Sequence, residues 1–325
     1  MNLPSYSIVM PVYRRVLGFA EALASALAVE GCQEVLVLDD NSDHDEFEKI
    51  VQAAGNPKAR YIRNAENQGL FGNWNRGVQM ASGEFVSVLC SDDLVAPDAF
   101  QQFAAAYRDN PQLDVFFGPF CTFSDTLESA RVLRVYPAGP MASLDLVADA
   151  VRNGPAFPVL HITRRSTLLE HPFVARPHSG NDWLWIYTNA KTFRLHATDK
   201  PINYWRRHPD QDAATSQGVT TDCWPMMFQA MADQLREGRH PLASMARRRA
   251  KGVVLSWLLN DHASQDGYVR RLRSPEAQSN MFLASALELI RSDWLLSRLL
   301  DSPPGDRVYV NLGRALRKLR YYPFS

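Results

Sequence analysis

The sequence predicts an α/β fold, a mostly parallel sheet flanked by helices with a helical appendage behind it, on three observations. Short apolar runs alternate with segments of helical length and composition from the amino terminus onward. Several of these runs stop abruptly at polar or acidic residues, as strands do when they feed into loops at a sheet edge. Beyond about residue 218 the strand pattern ends and helical segments follow one another to the carboxyl terminus.

The elements follow in order. Ser7-Ile8-Val9-Met10 is a short strand ended by Pro11, and the Ala- and Leu-rich stretch 17–29 is a helix stopped at Gly31. Val35-Leu36-Val37-Leu38 is a second strand that runs straight into Asp39-Asp40-Asn41-Ser42. A helix over 45–54, a strand at Arg60-Tyr61-Ile62, a loop over 64–72 and a helix over 73–81 lead to the strand Phe85 to Leu89, which gives way to Ser91-Asp92-Asp93. A helix near 100–107, a strand Val115-Phe116-Phe117, a helix near 144–151 and a helix from Trp183 to Ala190 come next. Residues 192–196 and 201–205 read as a pair of strands. Helices are predicted over 224–236, 243–262, 275–300 and 308–321.

The 325 residues, 46% hydrophobic and 22% charged, suffice for one large α/β domain, placed at 1–218, with a helical region at 219–325. Basic and acidic residues balance at 35 each, so no global field argues for nucleic acid. Cys32, Cys90, Cys121 and Cys223 lie far apart without metal-ligand spacing, which points to reduced thiols and a cytoplasmic setting. The amino terminus lacks the pattern of a signal peptide, and no stretch approaches the ~20 apolar residues of a membrane span.

In an open α/β sheet ligands bind at the carboxyl edge of the strands. This topology puts Pro11-Val12-Tyr13, Asp39-Asp40 and Ser91-Asp92-Asp93 on that one edge. An aromatic face, an acceptor for a base N–H and an acid pair that could hold a cation on a diphosphate are what a pyrimidine nucleoside diphosphate needs. Each feature has a plain structural alternative: a rim aromatic for Tyr13, a helix cap for Asp93.

Six ordered segments, Ser7 to Tyr13, Val37 to Ser42, Asn64 to Leu70, Asn73 to Gly77, Ser82 to Phe85 and Ser91 to Asp93, resemble the motifs of family 2 inverting glycosyltransferases. The similarity is dense over residues 5–100, thinner to about 210 and absent beyond. It implies the GT-A fold, a Rossmann-like mostly parallel sheet. It also implies transfer of a sugar, with inversion, from a UDP- or dTDP-linked donor to a hydroxyl of a glycan or lipid-linked acceptor, as in bacterial surface polysaccharide synthesis.

By that resemblance Pro11, Tyr13, Asp40, Asn67 and Asp92 form the nucleotide site. Tyr13 stacks on the base, Asp40 accepts its N3–H and Asp92 contacts the ribose, while Asn67 and Gly69 have turn chemistry as their alternative. Asp93 binds Mg²⁺ or Mn²⁺, with Ser91 standing where the family usually has a further acid. Pro177 to Trp185 resembles the segment of the catalytic acid pair, Asn181 replacing the usual glutamate and Asp182 retained as the base; Asp182 is alternatively a helix cap. Arg206-Arg207-His208 is similar to a basic loop in which His208 reaches the metal, or is an ordinary surface histidine, and the arginines face the diphosphate.

Residues 305–325 carry five basic side chains against Asp306, interleaved with Tyr309, Leu312, Leu316, Leu319, Tyr321, Tyr322 and Phe324. Such a segment suits the face of an anionic membrane, here the inner face of the cell membrane, or else packs its apolar stripe on the domain. Two other functions compete. The replacements at Ser91 and Asn181 leave open an inactive nucleotide-sugar-binding homologue. A dinucleotide-dependent oxidoreductase would require a GxGxxG turn after the first strand, and Pro11-Val12-Tyr13-Arg14-Arg15 stands there instead.

Overall fold

The first strand, β1 (Tyr6–Val12), is buried along its whole length, which explains why it reads as a continuous apolar run rather than an alternating one. A computed structural model of the chain describes residues 3–175, 180–208, 223–260, 268–279 and 281–301. In it β1 is flanked by two parallel neighbours, β2 (Cys32–Asp39) on one side and β4 (Phe85–Val88) on the other. β3 (Ala59–Arg63) extends the parallel set beyond β2. Chain order thus reverses about β1, the kind of switch point at which α/β sheets open a ligand crevice.

The eight-stranded sheet runs β3-β2-β1-β4-β10-β6-β11-β9, where β6 is Val115–Phe117, β9 Gly139–Met141, β10 Ile162–Arg164 and β11 Leu195–Ala197. β10 enters antiparallel to both β4 and β6. A smaller sheet orders β5 (Leu94–Val95), β12 (Asn203–Arg206), β7 (Phe120–Phe123) and β8 (Arg131–Arg134). The two strands expected to pair near 192–205 therefore part company: β11 joins the large sheet and β12 the small one. Short strands carry no signal for their partners, and Asp199 and Lys200 turn the chain between sheets instead of closing a hairpin.

Helices α1 (Phe19–Leu27), α2 (Glu46–Ala54) and α4 (Ala99–Asp109) bury Phe19, Leu23, Phe47, Phe100 and Phe103 in one core with β1 and β2. The other core joins Val9, Val86 and Val88 to α3 (Leu70–Met80), α5 (Ser143–Asn153) and α7 (Asn181–Asn189). α3 rides close on β1, since a Cβ on Gly77 would fall 2.3 Å from Val9 Cγ1. A short helix, α6 (Arg165–Glu170), follows β10.

The later helices, α8 (Trp224–Glu237), α9 (Ala243–Asn260), α10 (Tyr268–Arg273), α11 (Met281–Arg291) and α12 (Trp294–Asp301), do not build a core of their own. Met227, Phe228 and Met231 of α8 pack in the same cluster as Leu146 of α5 and Leu184 of α7. The single helix expected over 275–300 is divided into a 3₁₀ turn at Pro275–Gln278, α11 and α12. Asp293 restarts the chain, its Oδ1 accepting the Leu296 N–H at 3.3 Å. The expected boundary at 218 and the basic segment 305–325 lie outside the described residues. Among the described residues no helix is long and apolar enough to cross a membrane, and none of the four cysteines is in a disulfide.

Candidate active site

A cavity of about 490 Å³ opens at the carboxyl ends of β1, β2 and β4. Its lining includes Pro11, Tyr13, Asp40, Asn67, Ser91, Asp92 and Asp182, so residues far apart in sequence meet at the edge the topology requires. The register makes this unavoidable. Val12 lies opposite Asp39, the Asp40 N–H donates to Val12 O at 2.9 Å, and the Leu89 N–H donates to Val9 O at 2.9 Å.

The two acids after β2 have different work. Asp39 is fully buried; its Oδ1 accepts the Ser42 N–H at 2.9 Å and the Ser42 hydroxyl at 2.6 Å, and its Oδ2 accepts the Tyr61 hydroxyl at 2.6 Å. It holds the turn. Asp40 faces the cavity. Its Oδ1 accepts Asn64 Nδ2 at 2.9 Å and the Gln68 N–H at 2.8 Å, an arrangement that fixes the carboxylate and directs protein contacts to one oxygen. Asn67 is committed to the loop: its Nδ2 donates to Asp40 O at 3.0 Å and its Oδ1 accepts the Gly69 N–H at 3.0 Å, the turn chemistry expected as its alternative role.

Tyr13 lines the same cavity and is 41% exposed, with the Arg14 guanidinium 5.0 Å from its ring centre. Arg14 adopts φ +53, and three contacts stabilise that conformation. Its N–H donates to Ser42 Oγ at 2.9 Å, its carbonyl accepts His44 Nε2 at 2.8 Å, and the Glu46 N–H on His44 Nδ1 at 3.3 Å fixes the tautomer.

The acid pair after β4 divides in the same way. Asp93 is 1% exposed, does not line the cavity, and its Oδ1 accepts the Arg206 N–H at 2.9 Å. Burial, and then the neighbouring Asp92, push its carboxyl well above the ordinary range. Asp92 is the acid the site presents: its Oδ2 accepts Arg15 Nη2 at 3.0 Å and meets His208 Nε2 at 2.8 Å. The sequence reading gave the cation to Asp93; the structure turns that carboxylate into the protein and brings Asp92 to His208. Arg206, expected at the diphosphate, is 9% exposed and clamps the acid turn, its Nε donating to Asp92 O at 2.7 Å and its Nη2 to Glu21.

Carboxylate and imidazole donors are ones that Mn²⁺ and Mg²⁺ accept, and Asp92 and His208 converge closely enough to share an ion. Among the described residues no group of three or more His, Cys, Asp or Glu side chains could hold a metal. The remaining ligands would have to be phosphate oxygens and water.

Asp182 also lines the cavity, in the first turn of α7, whose cap is Gly180. Burial raises its carboxyl to about 6 against the opposing pull of backbone N–H groups. Its neighbour Asn181 points inward, fully buried, with Nδ2 donating to Val174 O at 2.9 Å. Sequence reasoning did not assign Arg15 a role, although its position just past β1 places it on the same edge. Nor did it foresee that Phe120, Trp205 and Trp224 would wall the cavity, since they come from elements whose pairing the sequence does not reveal.

Residues 7–169 match the family model described as Glycosyl transferase family 2. The chain is similar to the succinoglycan biosynthesis protein ExoO of Rhizobium meliloti, 33% identical over 101 residues, covering 31% of this chain and 29% of that one. It is 24% identical over 231 residues to a glycosyltransferase of Nostoc sp., covering 66% and 69%. The chain spans about half or less of the length of the first two curated relatives it matches. In fold it resembles S. aureus TarS 1–349, solved in complex with UDP, with a TM-score of 0.60, 17% identity, and coverage of 99% of this chain and 94% of that one.

Proposed function

Because the chain belongs to glycosyl transferase family 2, we propose that it moves a sugar, with inversion, from a UDP- or dTDP-linked donor to a hydroxyl of a glycan or lipid-linked acceptor in bacterial surface polysaccharide synthesis. The observation that carries this reading is the meeting of an exposed Tyr13 ring, the fixed Asp40 carboxylate and Asp92 around one cavity, with His208 held against Asp92 from outside the lining. Relatives whose names include succinoglycan and colanic acid biosynthesis, and the UDP complex of TarS, support the same class of donor and product.

In this reading Tyr13 stacks on the pyrimidine and Asp40 accepts its N3–H. Asp92 and His208 would hold Mn²⁺ or Mg²⁺, and a bound ion would supply positive charge against the departing diphosphate. Arg15, already against Asp92, adds fixed positive charge at the same place. Asp182 accepts the proton of the attacking hydroxyl on the opposite side of the sugar. The 1–218 segment supplies the chemistry. The basic, aromatic 305–325 segment holds the protein peripherally on the inner membrane face, near a lipid-linked acceptor.

A thermal-shift screen of UDP-, dTDP- and GDP-sugars with and without Mn²⁺ tests the donor. A ligand at 100 times its Kd stabilises the fold by about 2.7 kcal/mol. Donor hydrolysis then separates an enzyme from an inactive nucleotide-sugar-binding homologue. A protein that binds UDP-sugar and never turns it over belongs to the second class.

A further inference from the structure

The cavity has two chemically different halves. Tyr13, Arg15, Asp40, Ser91 and Asp92 furnish the polar half. The rest of the lining is rich in aromatic rings, and four of the seven tryptophans of the chain, Trp74, Trp183, Trp205 and Trp224, line this single cavity. Three rings there form a corner. Trp205 stacks on Phe120, with ring centres 5.6 Å apart and planes 21° apart, while Trp183 stands at 86° to Phe120 with centres 6.3 Å apart. The Trp183 N–H donates to Phe157 O at 2.9 Å, which fixes the ring and satisfies its polar edge. Arg207, an exposed residue, lies 4.8 Å from the Trp205 ring centre, where an incoming ligand could displace it.

Trp183 follows Asp182 directly in α7, so the aromatic corner adjoins the carboxylate placed on the acceptor side. We propose that this corner is the acceptor subsite and that it takes a pyranose ring, the apolar C–H face of the sugar lying against Trp183 and Trp205. The proposal rests on the donor occupying the polar half. Flat indole faces with negative π density suit the polarised C–H groups of a sugar ring. A prenyl chain would be met by aliphatic walls, and this corner is made of three aromatic rings, Phe120, Trp183 and Trp205. A polyol phosphate would need a fixed, desolvated cation; Arg206 is spent on Glu21 and Asp92 O, and Arg207 over the corner is exposed to screening solvent.

The test uses the full chain, titrated with methyl pyranosides of the common hexoses and N-acetylhexosamines, with ribitol 5-phosphate and with farnesyl phosphate, each with and without saturating UDP and Mn²⁺. Tryptophan fluorescence and saturation-transfer NMR report binding. At least one pyranoside should bind and perturb tryptophan emission, Trp183→Ala or Trp205→Ala should weaken it about tenfold, and Trp183→Phe should retain part of the affinity. The UDP-induced thermal shift, unchanged in all three variants, shows that they fold and keep the donor half. The proposal is overturned if pyranoside binding survives both alanine variants, or if no pyranoside binds, whether or not ribitol 5-phosphate or farnesyl phosphate does. Loss of the UDP shift in the wild-type protein would instead overturn the donor assignment.

Discussion

His208 Nε2 lies 2.8 Å from Asp92 Oδ2 across 116 residues of sequence, joining the loop after β12 to the turn after β4. Both side chains are nearly buried, so the contact is a fixed feature of the site and not a chance surface pairing. If the pair holds the cation, UDP affinity measured by titration calorimetry should rise with Mn²⁺ in the wild-type protein. Asp92→Asn and His208→Ala should each remove about 1.5 to 3 kcal/mol of that affinity, the scale of contacts to charged groups. Chelation should then weaken the wild type and leave the variants nearly unaffected. A Mn²⁺ response that persists undiminished in both variants would rule the pair out.

Asp40 sets the expectation for the base. Two protein donors converge on its Oδ1, so the carboxylate is oriented before any nucleotide arrives. Asp40→Asn should weaken UDP binding by about 1 to 3 kcal/mol, because the amide presents a donor where the N3–H needs an acceptor. The wild-type protein should bind GDP far more weakly than UDP. Equal affinity for the two nucleotides would refute the pyrimidine reading.

Gly18 connects backbone conformation to the acid turn. Its φ is +82, and a Cβ there would meet Asp92 Cα at 3.2 Å and Asp92 Cβ at 3.3 Å. Gly18→Ala should lower stability by about 1 to 2 kcal/mol from the left-handed backbone alone. It should also weaken Mn²⁺-dependent UDP binding, because relief of the contact moves Asp92. Thermal unfolding together with UDP titration checks both effects, and an alanine variant as stable as the parent would contradict the packing.

The amino-terminal half of the fold was legible because β2 and β4 are almost wholly buried and run straight into acids, so the runs 35–38 and 85–89 announced them directly. The residues at that edge could be named for the same reason. The resemblance, not the local pattern, picked out Asp40 from its pair, and for the pair after β4 nothing in the sequence revealed which acid points outward. Asp39 and Asp40, like Asp92 and Asp93, are equivalent in composition and are separated only by strand register and by partners as distant as Tyr61 and Arg206. The aromatic wall was hidden because it joins β7, β12 and α7 by long-range packing, which no local sequence pattern encodes.

The segment 305–325 provides a test independent of the site. About 1 kcal/mol per basic residue near an anionic surface, with Tyr321, Tyr322 and Phe324 at the interface, should give reversible attachment that added salt weakens. The full chain should float with phosphatidylserine- or phosphatidylglycerol-containing vesicles, and a chain truncated after Asp306 should not. If the full chain stays with the soluble fraction as well, the apolar stripe of this segment packs elsewhere.

Asp182 makes the sharpest demand on the mechanism. Burial raises its carboxyl to about 6, and only the ionised form can take the acceptor proton, so kcat should climb with pH and level off above about 6. Asp182→Asn should lower kcat by about 10² to 10⁴ and abolish that limb while leaving UDP affinity unchanged. Linkage gives a second readout of opposite sign to the usual carboxylate. A group that binds its proton more tightly folded than unfolded stabilises the protein below its unfolded pKa, and that contribution is lost as pH rises through the folded value. The asparagine variant, which carries no such titration, should therefore match or exceed the wild type in stability at neutral pH even as it loses turnover. A variant that unfolds more readily at neutral pH would mark Asp182 as a support of the first turn of α7, and the base would have to lie elsewhere on the cavity wall.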